Sequence, residues 1–400
     1  MLKYWLWLAT RKGLGARGAV LAARHFSSPE MCYFAQPEEY REIPGLRNPE
    51  ALTDKSLDLP EQILRACYEK QISILTMQDA AYPERLRSID DPPLVLYVRG
   101  TMPDLNGLVV GVVGTRQASA YGMLQARKMG YGLSRGGAVV ISGFAKGVDT
   151  EAMLGALTGG TQPVVGVVAG GVDVVYPPEN RQLYADVAHR GCILSEYPPG
   201  SVPYRSNFPL RNRIISGLSA GVVVVEAPEK SGALITASIA LDQGRDVFTI
   251  PANVDAKTCR GNLALLRDGA ILARNAADVL QEYVGRYSGI SPETDMGTWP
   301  QTPVSEETDP VPKAPEPKKA VDKPGNRHYI DLKEQWEALS EDERALARLL
   351  QKGPQHMDDL TEGTKLSTAR ILASLTLMEV KGYVRRPSAK WYELAETEEL

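Results

Sequence analysis

Cysteine is scarce in this chain of 400 residues: Cys32, Cys67, Cys192 and Cys259 stand far apart, and the first residues do not read as a secretory leader. That spacing suggests neither a disulfide framework nor a zinc site, and it fits a reducing cytoplasm. Histidine is equally rare. His25, His189, His328 and His356 are not spaced as a pair, so imidazole-based metal chemistry has nothing to build on, and neither a metal nor a cofactor is expected. Long apolar runs are missing as well. The stretch from Tyr4 to Ala9 is too short to span a bilayer and reads as the first turns of a buried helix, so no membrane partner is expected. Nor does positive charge dominate. Lys and Arg number 45 against 49 Asp and Glu, a net of −4, so no whole-chain field marks a nucleic-acid protein, although a local cluster escapes such a count.

What is present suffices for large cores: 43% of the residues are hydrophobic and 24% charged, at a length that predicts two or three domains. Residues 291 to 324 hold eight prolines and almost no aliphatic side chains, which predicts an extended linker over about 286–330. Residues 1–105 carry helical signals, among them Ser27-Ser28-Pro29-Glu30 as a helix start, and read as a helical domain. From 106 to 285 the pattern alternates helical stretches with short apolar runs: Leu108–Val113, Ala138–Ser142, Val164–Val168, Cys192–Ser195, Val222–Glu226 and Val247–Ile250. Continuous apolar strands separated by helices predict a doubly wound α/β domain with a parallel sheet covered on both faces. Residues 331–400 show three helix starts, at Ser340, near His356 and at Ser367, and then a hairpin pattern to Leu394, which together predict a winged helix.

In open α/β sheets ligands bind beyond the carboxyl ends of the strands, so the strand-to-helix loops are where chemistry is sought. The first contains Gly114, Thr115, Arg116 and Ser119: a glycine for close approach, amides at a helix start, and a guanidinium, a combination suited to an anion. It is not the dinucleotide fingerprint, because G-x-G-x-x-G is absent and no acidic residue suited to a ribose follows the next strand, so a nicotinamide enzyme is disfavoured. The second loop offers Lys146 among glycines, with Asp149 read as a helix cap. In the third, Tyr204 to Arg213 gathers Arg205, Asn207, Phe208, Arg211 and Arg213. Arginines for phosphates among aromatics for bases are what sequence-tolerant single-strand binding requires. A fourth loop presents Ser231 and Gly232 before a helix, either as amide donors or as a simple cap. Between Gly107 and Leu280, Lys and Arg number 16 against 13 Asp and Glu, so the +3 excess matters only if the five basic side chains share one sheet edge.

The runs VVGTRQASAYG, SGFAKGVDTEA, VVAGGVDVVYPPENRQLY, FPLRNRIISGLSAGVVVVEA and SGALITASIALDQGRDVFTIPAN resemble the DNA-processing protein A family, DprA or Smf, over nearly all of residues 107 to 280. The N-terminal region is similar to that family's sterile-alpha-motif or helix-hairpin-helix domain, and the C-terminus to its winged helix. The resemblance implies an extended Rossmann-like domain and a homodimer formed through it. It also implies a protein that binds and protects incoming single-stranded DNA and loads a RecA-type recombinase onto it in natural transformation, without catalysis. It places the family's G-x-R motif at Gly114 and Arg116, its loop lysine at Lys146, its basic contact at Arg205 and its stacking aromatic at Phe208.

A rival of another class is a nucleotide-processing enzyme of the lysine-decarboxylase-like phosphoribohydrolase group, which shares a related sheet. Its P-G-G-x-G-T run with a following Glu is absent, and no nucleophile–base pair or paired carboxylates in a shared loop can be found. For the C-terminal module, protein contact competes with duplex contact, since the helix after Ser367 carries only Arg370 and Lys381 as basic residues.

Overall fold

The computed structural model describes residues 1–293, 339–351, 353–381, 383–388 and 391–394; most of the expected linker, 294–330, lies outside them. The chain divides into a body beginning at Trp5 and a C-terminal unit.

The body opens with helices α1 (Leu2–Ala9), α2 (Gly15–His25), α3 (Pro29–Phe34), α4 (Pro37–Arg41) and α5 (Asp58–Glu69). The apolar start buries Trp5 through Leu8, as expected of a core helix. Ser28 caps α3, its hydroxyl accepting the Met31 amide at 3.1 Å with Pro29 in the first helical position. The Lys55 ammonium lies 5.0, 5.2 and 4.7 Å from the ring centroids of Trp7, Tyr33 and Tyr40, so a half-buried cation ties three helices together through their aromatic faces.

Next come β1 (Ser73–Thr76), α6 (Glu84–Arg87) and β2 (Val95–Gly100), then an alternating series: β3 (Val109–Val113), α7 (Ala120–Arg135), β4 (Val139–Ser142), α8 (Val148–Gly159), β5 (Val164–Val167), α9 (Arg181–Arg190), β6 (Cys192–Ser195), α10 (Asn207–Leu218), β7 (Gly221–Val224), α11 (Gly232–Asp242), β8 (Asp246–Thr249), α12 (Arg260–Arg267), β9 (Ile271–Leu272) and α13 (Ala276–Gln281). They form one nine-stranded sheet in the order β1-β2-β6-β5-β4-β3-β7-β8-β9. All neighbours from β6 to β9 are parallel, whereas β2 joins β6 and β1 joins β2 antiparallel. The six apolar runs are therefore the strands they were read as, each buried along its length except at Asp246. The helical reading of 1–105 differs from the structure over 73–100, where two strands extend the sheet. β2 buries Val95 through Val98 as the other strands do, and the four-residue β1 is too short to show a period.

Chain order reverses between β3 and β7, the position where such sheets open a crevice. Helices α7 and α8, which carry the first two loops, pack backbone to backbone: a β-carbon on Gly130 would fall 1.9 Å from the Ala152 carbonyl oxygen, and one on Gly155 2.0 Å from that of Arg127. No other residue fits either position without parting the helices.

The C-terminal unit contains α14 (Glu341–Leu350), β10 (Gln355–His356), α15 (Met357–Thr364), α16 (Thr368–Val380), β11 (Val384–Ser388) and β12 (Trp391–Leu394), with strand order β10-β12-β11. Ser340 and Glu343 exchange the hydrogen bonds of a capping box, at 3.2 and 2.7 Å. Leu346, Leu360, Ile371, Leu375 and Met378 form its core. Three helices followed by a hairpin make the winged helix that the sequence predicts.

Candidate nucleic-acid interface

The loop after β3 is shaped by a carboxylate 107 residues away. Glu226, 1% exposed beyond β7, accepts the Ser119 amide at 2.9 Å and the Ser119 hydroxyl at 3.1 Å through one oxygen, while its backbone carbonyl accepts the Thr115 amide at 2.7 Å. Ser119 in turn accepts the Gly122 amide at 3.1 Å and caps α7, and Thr115 Oγ1 accepts the Gln117 amide at 3.2 Å. The positive end of α7 is thus already matched by a protein carboxylate. Of the loop amides expected to cradle an external anion, those of Thr115, Gln117 and Ser119 are engaged internally. Gly114 lies against Val148. What the loop does offer is the exposed Arg116 guanidinium, centred 4.7 Å from the centroid of the Phe208 ring.

The loop after β4 is locked to the first by backbone. Gly147 has φ of 77°, and a β-carbon there would lie 2.6 Å from the Thr115 carbonyl oxygen, which also accepts the Val148 amide at 3.3 Å. Asp149 does not occupy the cap position, which falls to Gly147. Its buried carboxylate reaches back to the amides of Gly143 and Ala145 at 3.1 and 3.4 Å and closes the loop. Burial pushes the Asp149 carboxyl above its ordinary range, and the nearby Arg211 guanidinium opposes that rise. Lys146 is exposed but not free: its ammonium meets Glu179 Oε1 at 2.6 Å. That hydrogen bond, with the ion pair behind it, holds the Glu179 carboxyl below its usual range.

Glu179 belongs to the loop after β5, which the sequence reading did not single out. Asn180 anchors this loop by donating to the Phe144 carbonyl at 2.8 Å and to Thr150 Oγ1 at 2.9 Å. The same loop carries Tyr176, 42% exposed, with its ring centroid 5.7 Å from that of Phe208.

Helix α10 begins with Asn207, whose side-chain amide donates to the Ala169 carbonyl at 3.0 Å and fixes the helix start. Phe208 is half-buried at the surface and is not a core residue. Arg205, just before the helix, is exposed and has no ion pair among the described residues. Arg211 and Arg213 are placed differently from the expectation that they line a strand's path. Arg211 is 3% exposed and donates to the Val167 carbonyl. Arg213 is 5% exposed and bridges Asp91 at 3.1 Å and Glu196 at 2.5 Å. Two residues apart on a helix, they leave it on different sides, and each is buried against carbonyl or carboxylate acceptors from other segments. Ser231 accepts the Ala233 amide at 3.2 Å and caps α11, and Gly232 beside it is exposed. These two follow β7, across β3 from the loops of Lys146 and Tyr176, so the structure brings together Arg116, Phe208 and the unforeseen Tyr176, with Lys146 and Glu179 on the adjoining loops.

In the C-terminal unit the two basic residues of the expected recognition helix are engaged within the unit, Arg370 with Asp342 and Lys381 with Glu343, both at 2.8 Å. Among the described residues, no group of His, Cys, Asp or Glu is arranged to hold a metal, and no helix is long and apolar enough to cross a membrane.

The family model described as DNA recombination-mediator protein A matches residues 73–284, and that of the DprA winged helix domain matches residues 333–389. Protein Smf of a Synechocystis strain is 35% identical over 98% of this chain and 98% of its own length. DNA processing protein DprA of Bacillus subtilis is 40% identical over 55% of this chain and 74% of its own. Among solved structures, DprA of Streptococcus pneumoniae superposes with a TM-score of 0.64 at 33% identity, covering 70% of this chain and 98% of that one.

Proposed function

The chain belongs to the DNA recombination-mediator protein A family, and from that premise we propose that it binds and protects single-stranded DNA and hands it to a RecA-type recombinase in natural transformation. The observation that carries this reading is the exposed Arg116 guanidinium lying on the half-buried Phe208 ring at the C-terminal edge of the sheet. An aromatic face for a base beside a cation for a phosphate is the minimal unit of sequence-tolerant strand binding. Phe208 stacks a base; Arg116, Arg205 and Lys146 meet phosphates. Gly114, Thr115, Ser119 and Asn207 hold these groups in place, Arg211 and Arg213 fasten α10 within the body, and Ser231 and Gly232 stay at the margin. The chain acts in the cytoplasm as a homodimer through the sheet domain, with Ile235 and Leu241 of α11 exposed there, and turns over no substrate.

Anisotropy of labelled oligo-dT and of a duplex of equal length, across a salt series, tests the reading. Single strands should bind more tightly, with log K falling linearly against log salt. Equal affinity for both forms, or binding indifferent to salt, would overturn it. Incubation with nucleoside monophosphates should give no turnover; multiple turnovers would instead favour the phosphoribohydrolase reading.

The Lys146–Glu179 pair makes a further expectation. A phosphate approaching Lys146 meets the Glu179 carboxylate as well, and must compete with it. Glu179→Gln should therefore tighten oligo-dT binding and steepen its salt dependence, whereas Lys146→Ala should weaken binding. Unchanged affinity in both variants would remove Lys146 from the strand's path.

A further inference from the structure

We propose that Tyr176 is a second base-binding subsite beside Phe208, and that the two rings take neighbouring bases in a splayed, unstacked arrangement. This rests on the single-strand reading above and adds to it a residue, a strand geometry and a base preference.

The two rings come from different elements, Phe208 from the first turn of α10 and Tyr176 from the loop after β5. Their centroids are 5.7 Å apart and their planes are inclined at 58°. A base held between two aromatic faces needs parallel planes about 6.8 Å apart, twice the stacking distance of about 3.4 Å. The observed pair is both too close and too tilted for such a slot, so no single base enters between the rings. Each ring instead offers a face of its own to a separate base.

Successive stacked bases lie nearly parallel at that same spacing of about 3.4 Å. Two such bases cannot both lie flat on surfaces inclined at 58°. A strand that uses both rings must open its stack at that step, which a single strand does readily and a duplex does not. Homopolymers of thymine stack weakly and those of adenine strongly, so the cost of opening falls mainly on adenine.

The second face is held ready. Asn180 pins the tyrosine's loop to the Phe144 carbonyl and to Thr150, and the Tyr184 hydroxyl lies 3.4 Å from the Tyr176 carbonyl oxygen. Pinning at both ends of the segment leaves little motion to arrest on binding. Tyr176 is nonetheless 42% exposed, and its ring lies beside that of Phe208.

The test uses the full chain and labelled oligo-dT and oligo-dA of equal length. Tyr176→Leu and Tyr176→Ala should each weaken oligo-dT binding about tenfold, the scale of one lost stack. Tyr176→Phe should stay within about twofold, because the face and not the hydroxyl makes the contact. None of the three should change the salt slope, since no phosphate contact is lost. The unsubstituted chain should prefer oligo-dT to oligo-dA, and Tyr176→Leu should narrow that preference. If Tyr176→Leu and Tyr176→Ala bind oligo-dT like the unsubstituted chain while Phe208→Ala is weakened, the second subsite is wrong and the single-strand reading stands. If the unsubstituted chain has no affinity for oligo-dT, both fall together.

Discussion

Replacing Arg116 and Phe208 together by alanine is expected to weaken oligo-dT binding by more than the product of the two single losses. Each residue contributes its own contact with DNA. Phe208→Ala removes a stack of about 1–3 kcal/mol. Arg116→Ala removes a phosphate contact, and with it about 0.7 from the salt slope. The two side chains also hold each other, with the guanidinium 4.7 Å from the ring centroid. A base that stacks on this ring displaces the guanidinium, so binding gives up a cation–π contact of about 0.5–1 kcal/mol. Either single substitution already abolishes that contact, and so understates the loss of its DNA interaction by the same amount. The double variant is relieved of it only once. Its loss should therefore exceed the sum of the singles by about 0.5–1 kcal/mol, roughly two- to fivefold in Kd. A strictly additive cycle would mean that Arg116 stays on the ring in the complex and that the base stacks elsewhere.

Arg213→Ala is expected to damage the fold and not the DNA contact. The guanidinium is enclosed by Glu196 and Asp91, and its removal leaves Glu196 with no cation in a largely buried setting. Breaking a buried pair from one side costs about 3–5 kcal/mol, to be read from denaturant unfolding at neutral pH. The pH dependence has a definite sign. Burial already pushes the Glu196 carboxyl above its ordinary range, against the pull of Arg213. Without Arg213 the carboxyl rises further, so the folded variant favours the protonated form. A group raised in this way supports the fold below its unfolded pKa and loses that support as pH climbs through the folded one. The deficit of the variant relative to the unsubstituted chain should thus be smaller at pH 5 than at pH 8. The folded fraction should bind oligo-dT normally, with an unchanged salt slope. A weaker, flatter salt response with no loss of stability would return Arg213 to the strand's path.

The contrast between those two arginines shows where the sequence was legible. Strands β3 to β8 stood out because buried parallel strands are continuous apolar runs, and the caps at Ser28 and Ser340 because a hydroxyl before a helix has a local signature. Arg116 and Phe208 were found because a strand-to-helix loop and an aromatic among arginines are both local patterns. Burial of a charge is not local. Arg213 reads like Arg116 until Asp91 and Glu196 arrive from elsewhere in the chain. The Glu226 carboxylate that satisfies the first loop is separated from Ser119 by 107 residues, and no spacing rule joins them. Tyr176 lay in a run that carried the family resemblance, yet its role depends on a distance to Phe208 that only the folded loops define.

The contact of Gly147 with the Thr115 carbonyl is main chain on main chain, and so are the closest approaches of α7 and α8, at Gly130 and Gly155. Such a contact has no rotamers to choose among, so the spacing between the loops that bear Arg116 and Lys146 is set when the chain folds. Little ordering is then left for the moment of encounter. Association should be governed by diffusion and by the local field, and substitutions at the interface should be felt in how long the strand stays, not in how fast it arrives.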